Sequence, residues 1–532
     1  MKWRFFLVLG AFAFLFGSLG MNLYELQIEQ GEYYVDRVEA MQEERAERLL
    51  RRGQIFFTDR SGTDIPVALN RDDQFIFASP GEMEDPEAVA ERIAGPLGLD
   101  AEEVKADFGK NPESLYVPLV EKASAEMVSF VTEESPEGIH IDSKQYRFYP
   151  FGELGSQLLG FYGINDSFPN PVGLYGAEKQ FNTRLEKGED VRLTIDRNIQ
   201  ARAEELIEDL VRDHEAAGGT VIVQDPRTGA ILAMASVPGF DPNDYGSYPI
   251  KNFLNPAVNF VYEPGSVFKP LTLSAGIDAG KLSAETKFHD PGFVTLNGRT
   301  IRNWGNHVYG DVTMQEVIEN SINTGAVRAE EIVGHDTFYE YMKQYGFTEK
   351  TGIDLPDQVG GNLRNLTSPD VREVDYATAA FGQGVAVTPL HVVNAFSAVA
   401  NGGLLMRPYV DADRGAYIVR RVIEEDTAAE IARILESTVY KANVTRIPEY
   451  GIAGKTGTAF VPDFVNGGYS EEMIHTFTGF APASNPQFVG LIKLERPQVG
   501  DLAGLTVVPA FKELARFLLN YYSIPPDKIA GS

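Results

Sequence analysis

Residues 263–270 read Glu263-Pro264-Gly265-Ser266-Val267-Phe268-Lys269-Pro270, a Ser-x-x-Lys set behind a Pro-Gly turn. If Ser266 opens a helix, the three-residue offset places Lys269 one turn up the same face, within reach of the hydroxyl. The helix N-terminus adds a positive potential for developing negative charge. Pro270 fits that helix only in its first turn, where a backbone N–H has no helical partner to lose. A chain of 532 residues holds about one or two such matches by chance, so the motif alone decides little.

Two more motifs follow. Ser321-Ile322-Asn323 lies in EVIENSINTGAV, residues 316–327. After an amphipathic helix, a Ser and an Asn two apart can be a C-terminal turn and nothing more. Gly454-Lys455-Thr456-Gly457-Thr458-Ala459 has the β-branched and small residues of a strand, and its glycines let another backbone approach the edge. A peptide could add to that edge by main-chain hydrogen bonds, with Lys455 and the Thr hydroxyls as donors to a carboxylate or acyl group. A plain edge strand blunted by lysine would read the same way. The order Ser-x-x-Lys, Ser-x-Asn, Lys-Thr-Gly, with gaps of 55 and 134 residues, is far more specific than any one motif.

Composition narrows the chemistry further. Length alone allows three to four domain-sized units, and 43% hydrophobic with 11% aromatic residues suffices for real cores. A net charge of −29 repels phosphate backbones and argues against nucleic-acid binding. The absence of cysteine removes disulfides, thiolate zinc sites, iron–sulfur clusters and cysteine nucleophiles together. The seven histidines are scattered, with no pair at metal-ligand spacing, so neither a metal nor another cofactor is expected.

From Phe5 to Tyr24 run twenty uncharged residues, FFLVLGAFAFLFGSLGMNLY, about 30 Å as a helix and so the thickness of a bilayer core. Lys2 and Arg4 precede the run and Glu25, Glu29, Glu32 and Asp36 follow it, which puts residues 1–4 in the cytoplasm and the body outside. A cleaved signal peptide is the alternative, but no A-x-A site follows and helical apolar spacing continues. A charged helix over 25–48 then leads to Arg45, Arg48, Arg51 and Arg52, a solvated face or a set of local salt bridges.

The stretch 53–190 reads as mixed α and β. Asp85-Pro86 and Asp100 with Glu103 signal helix starts, and the runs 54–57, 74–77 and 115–119 signal strands. From 196 the spacing of Ile199, Ala203, Leu206 and Leu210 predicts a helix, followed by a hairpin of 220–224 and 230–235 around Asp225–Gly229. Helical stretches are expected near 311–332, 372–381, 390–400 and 427–441. Strands are expected at 451–460, 474–480 and 487–494, and an amphipathic helix on Phe511, Leu514, Phe517, Leu518 and Tyr521 closes the chain. Strands at both ends with helices between predict one α+β domain whose sheet joins distant parts of the chain.

Over nearly its whole length the chain resembles the class B penicillin-binding proteins. Arg52-Gly53-Gln54-Ile55 with Asp59-Arg60-Ser61-Gly62, Tyr146–Pro150 and Gly173–Glu178 are similar to signatures of that family's noncatalytic module. Asp225–Met234, Phe381-Gly382-Gln383-Gly384, Thr388-Pro389, Ala400–Gly403 and Phe480-Ala481-Pro482 are similar to its catalytic half. Ser61, His391 and Ile322 stand where the family usually has Asn, Gln and Ser. Nothing resembles the glycosyltransferase module of class A proteins.

The resemblance implies a tip (1–4), a transmembrane anchor (5–24), an elongated pedestal or dimerisation-type module (25–195) and a serine β-lactamase-like transpeptidase domain (196–532). It implies a peptidoglycan D,D-transpeptidase that acts on stem peptides ending in D-Ala-D-Ala and is covalently inhibited by β-lactams. Ser266 would be the nucleophile, Lys269 its base, Ser321 a proton relay, and Asn323 a ligand to the substrate amide. The N–H groups of Ser266 and Thr458 would form an oxyanion hole, and Lys455, Thr456 and Thr458, with Gly457 between them, would bind the terminal carboxylate. As a base near pH 7, Lys269 must titrate well below its ordinary value of about 10.4, a difference of roughly 4.6 kcal/mol. The 480–486 segment and the tail at 524–527 look more like the cell-division branch than the elongation branch, which implies a septal place beside a membrane glycosyltransferase and divisome proteins. A β-lactamase, a D,D-carboxypeptidase, a penicillin sensor and a divisome scaffold are the alternatives.

Overall fold

The computed structural model describes residues 3, 16–18, 52–165, 168–443, 445–463 and 467–528. Apart from residues 16–18, which are helical and exposed, the expected anchor (5–24) and charged helix (25–48) lie outside the described residues. Among those described, no helix is long and apolar enough to cross a membrane. The chain forms two compact units that alternate along the sequence.

The first unit comprises Met1–Gln54, Asn70–Phe148 and Thr183–Glu189. Its helices start where local chemistry says they should. Asp85 accepts from the Ala88 N–H to cap Pro86–Leu97, with Pro86 in the first turn. Asp100 accepts from the Glu102 and Glu103 N–H groups to cap Ala101–Lys110. Ile93, Leu97, Val104, Phe108 and Val131 close over Ile76 and Ile139. The run expected at 74–77 is strand, and the one expected at 115–119 is strand only over Val117–Val120, with Ile76 opposite Val120 and Phe77 opposite Pro118. Arg52 departs from expectation: it is 5% exposed, not on a solvated face, and its carbonyl accepts from Asn70 Nδ2 at 2.6 Å.

The second unit comprises Ile55–Leu69, Tyr149–Asn182 and Asp190–Ser532. Its helices of interest are α1 (Arg197–Asp213), α2 (Lys269–Asp278), α3 (Met314–Glu319), α4 (Asn323–Val333), α5 (Pro389–Ala400), α6 (Glu425–Ala442) and α7 (Val507–Tyr521). The main strands are β1 (Gly218–Gln224), β2 (Ile231–Val237), β3 (Ala453–Pro462), β4 (Tyr469–Ala481) and β5 (Phe488–Glu495). They form one antiparallel sheet in the order β3-β4-β5-β1-β2, so the two chain ends meet in its middle.

Register fixes what each face holds, because side chains alternate along a strand. Phe477, Ile492, Val221 and Ala235 lie in one row and bury against Leu206 of α1 and Phe511 and Leu514 of α7. Truncating Leu206 to Ala would cost about 2–5 kcal/mol. The next row, Lys455, Thr478, Leu491 and Ile222, faces the other way. On that face Gln224 bonds Asn394 and Ser397 of α5. His391 caps α5 in place of the usual Gln. Burial pushes its pKa down to about 4, so Nδ1 accepts from the Thr388 N–H while Nε2–H donates to Glu349 O.

One expectation fails in an informative way. The helical stretch near 311–332 is strand through Thr313 and then two helices, α3 and α4, broken at Ser321.

Candidate active site

Ser266 sits half-buried in the 3-10 turn Gly265–Phe268, which runs directly into α2, with Pro270 in that helix's first turn. Bare backbone flanks the turn on two sides. The Gly265 N–H donates to Gly382 O, and a β-carbon on Gly382 (φ +81°) would stand 2.2 Å from Gly265 O. A β-carbon on Gly457 would stand 2.7 Å from Pro264 O. Only glycine permits these approaches, so β3 runs alongside the serine.

A β-carbon on Gly265 would be 3.3 Å from the Thr458 carbonyl oxygen, closer than to the carbonyl carbon. Within an antiparallel strand the N–H and C=O of one residue point the same way. The Thr458 N–H therefore also faces the Ser266 turn.

Lys269 is 1% exposed. Its Nζ donates to Ser321 O at 2.6 Å, Ser321 Oγ at 3.2 Å and Asn323 Oδ1 at 2.8 Å. Lys455 comes from the opposite side and donates to the same Ser321 Oγ at 3.0 Å. Neither lysine meets a carboxylate among the described residues, which is expensive for a buried ammonium. Burial, and then the proximity of Lys455, pushes the Lys269 pKa well below its ordinary value. Burial pushes Lys455 down to about 7.

The break between α3 and α4 explains how Ser321 reaches both amines. The Ile322 N–H bonds Val317 O and the Ser321 N–H bonds Ile318 O, the paired closure of a Schellman motif. Ser321 takes the left-handed position of that motif (φ +56°), which glycine ordinarily fills. A serine there carries strain of about 1–2 kcal/mol and points its hydroxyl into the cleft. Asn323 opens α4 with its amide fixed at both ends, Oδ1 by Lys269 and Nδ2 by Arg302 O at 2.8 Å.

Lys269, Ser321, Asn323 and Lys455 thus form one hydrogen-bonded group, with Thr456 Oγ1 at its edge, 3.5 Å from Lys455 Nζ. The Ser266 hydroxyl bonds none of them among the described residues. Thr458 Oγ1 accepts from the Ala503 N–H at 3.4 Å, leaving its own O–H free to donate elsewhere. A hydroxyl nucleophile, an amine kept from protonation, a second amine and a backbone N–H facing the serine are parts needed for acyl transfer.

Sequence reading missed the support beneath this group. Asp290 is fully buried and accepts from Thr324 Oγ1 (2.6 Å), Asn303 Nδ2, Gly292 N–H and Tyr309 N–H (each 2.9 Å). Burial pushes its pKa up, and these four bonds together outweigh that and hold it low. Asp290 thereby ties the start of α4 to the loop bearing Trp304, which stacks on Phe460 of β3. Its one sequence signal was Asp290-Pro291-Gly292, a turn. The apolar cavity behind Tyr262 and Glu263, about 640 Å³, is lined by none of Ser266, Lys269, Ser321, Asn323 and Lys455. Among the described residues no group of three or more His, Asp or Glu is placed to hold a metal ion.

Residues 219–516 match the penicillin binding protein transpeptidase domain, and residues 50–209 match the penicillin-binding protein dimerisation domain. The chain is 31% identical to stage V sporulation protein D of Bacillus subtilis over 90% of its own length and 79% of that protein. It is 24% identical to the peptidoglycan D,D-transpeptidase FtsI of Escherichia coli K12, covering 99% of this chain and 93% of that one. A crystal structure of a peptidoglycan synthetase from Bifidobacterium adolescentis superposes with a TM-score of 0.68 at 25% identity, over 91% of this chain and 97% of that one.

Proposed function

We propose a residue-by-residue mechanism for this chain, which belongs to the class B penicillin-binding proteins and is a serine-type peptidoglycan D,D-transpeptidase. Ser266 Oγ attacks the carbonyl between the two terminal D-Ala residues, giving up its proton to neutral Lys269. The oxyanion so formed is met by the Ser266 and Thr458 N–H groups, each donor worth about 3 kcal/mol in such a site. As the intermediate collapses, Ser321 passes a proton from the lysine pair to the departing D-Ala amine. The acyl-enzyme waits for an amine from a second stem, which attacks the ester, forms the crosslink and returns the proton to Ser266. Asn323 aligns the donor's amide, and Lys455, Thr456 and Thr458, with Gly457 between them, hold the terminal carboxylate.

One observation carries this reading: two buried lysines that meet no carboxylate among the described residues converge on a single serine hydroxyl between the Ser266 helix and β3. A structural salt-bridge core would have supplied acids. The test is intact-mass analysis with a fluorescent penicillin. One stable adduct on the native chain and none on Ser266→Ala is expected; an adduct retained by Ser266→Ala would sink the assignment.

Residues 5–24 anchor the protein as a single pass with residues 1–4 cytoplasmic. Residues 25–195 form the noncatalytic module and 196–532 the catalytic domain outside the membrane. The twenty-residue uncharged run and its charge asymmetry support this. A fusion of residues 1–24 to a reporter checks it: the reporter should stay with the membrane fraction, face outward and remain uncleaved. Action at the septum, with a membrane glycosyltransferase and divisome proteins as partners, is supported by the resemblance of residues 480–486 and 524–527 to the cell-division branch. Uniform envelope fluorescence of a tagged chain would count against it.

A further inference from the structure

The groove beside Asn323 has a local charge opposite to that of the whole chain. It encloses about 270 Å³ between the strand Arg299–Arg302 and Asn323, Asp375, Thr378 and Gln383. In a chain of net charge −29, Arg299 and Arg302 are both exposed, and neither forms an ion pair among the described residues. The one carboxylate in the lining is already engaged: Asp375 accepts from Arg372 Nη2 at 3.0 Å and from the Arg372 N–H at 2.9 Å. The Arg302 guanidinium lies 5.5 Å from the centroid of the Phe293 ring, a contact to its face that leaves its N–H fork open to an outside acceptor. Its carbonyl holds Asn323 Nδ2, so the groove is continuous with the motif.

We propose that this groove receives the third residue of the acyl-donor stem and selects a side chain that ends in a free carboxylate, as a diaminopimelate does, over one that ends in an ammonium alone, as lysine does. The proposal rests on the transpeptidase reading above. With the reacting carbonyl at Ser266 and the preceding amide at Asn323, the next residue back projects past Asn323 into the groove. Two guanidiniums attract a carboxylate there and repel a lone ammonium. Because both arginines are solvent-exposed, the preference is modest, about three- to tenfold.

The test uses the full chain in detergent with synthetic stems ending in D-Ala-D-lactate, whose ester is easily cleaved. The stems differ only at the third residue: meso-diaminopimelate, the same residue amidated on its side-chain carboxylate, or L-lysine. Release of D-lactate gives kcat/KM for each. The free-carboxylate stem is expected to exceed the other two by about three- to tenfold. In the Arg299→Gln/Arg302→Gln double variant, with folding verified by its unfolding temperature, the ratio should collapse toward one. Equal rates for all three stems, or a preference that survives the double substitution, would overturn the proposal and leave the transpeptidase reading standing. No Ser266-dependent release from any stem would overturn the reading itself.

Discussion

Replacing Lys455 by Met should stabilise the folded chain at low pH and abolish its activity. Lys455 is 2% exposed and its pKa is pushed down to about 7 by burial, against about 10.4 in an unfolded chain. Below pH 7 the folded chain must carry a buried charge, which costs about 5 kcal/mol relative to an unperturbed lysine. Between about pH 7 and 10.4 the unfolded state binds more protons than the folded one, so stability rises with pH across that window. Met keeps the apolar stem and loses the bonds to Ser321 Oγ (3.0 Å) and Thr456 O (3.3 Å). Those are worth about 2 kcal/mol together, which leaves a net gain of roughly 3 kcal/mol at pH 6. At about 2 °C per kcal/mol for a unit this large, the variant should melt roughly 5 °C higher at pH 6. The gain should shrink as pH rises, reach zero at about pH 9 and turn into a deficit of about 1–2 kcal/mol by about pH 10, where the lost hydrogen bonds dominate. Scanning calorimetry of both proteins from pH 6 to 10 measures it. A gain that does not change with pH, or a variant less stable at pH 6, would refute the reasoning.

Asp290→Asn sets an NH2 group against donors that now point at carboxylate oxygens, and should cost about 2–3 kcal/mol in thermal unfolding. The same change should raise KM more than it lowers kcat, since Asp290 acts through the loop bearing Trp304 and the start of α4. His335 is held between Glu330 at 2.7 Å and Glu373 at 2.9 Å. Burial pushes its pKa down, and the two carboxylates outweigh that and raise it overall, while burial pushes Glu330 up. The clasp should therefore contribute fully below about pH 6.5 and fade as pH rises through the raised value. His335→Gln should lose about 1 kcal/mol at pH 5.5, because His335 is partly exposed, and much less at pH 9. Chemical denaturation at the two pH values checks both the size and the sign.

The parts of this molecule legible in the sequence are those set by local chemistry. Asp85, Asp100 and the Asp225–Gly229 turn specify their caps and hairpin within a few residues, and Ser266 with Lys269 requires only a helix start. Ser321 was different. Nothing local distinguishes a serine bound for the left-handed region from one that continues a helix, so 311–332 reads as helical. The break is held by long-range contacts, with Lys269 52 residues before it and Lys455 134 after it. Asp290 was hidden for the same reason, since its bond partners Asn303, Tyr309 and Thr324 lie 13 to 34 residues away and follow no periodicity. Arg52 looked like part of a charged run but is buried, its carbonyl bonded to Asn70, 18 residues away.

The central claim is that burial keeps Lys269 neutral enough to take the Ser266 proton. The pH dependence of the acylation rate constant for benzylpenicillin tests it most directly. The rate should rise with pH and level off well before the pH of about 10.4 at which an ordinary lysine titrates, because burial holds Lys269 well below that value. Lys269→Arg, which keeps the charge and cannot lose it, should be slower by about a thousandfold or more at every pH. A rising limb centred near pH 10, or an arginine variant that acylates at the native rate, would contradict it.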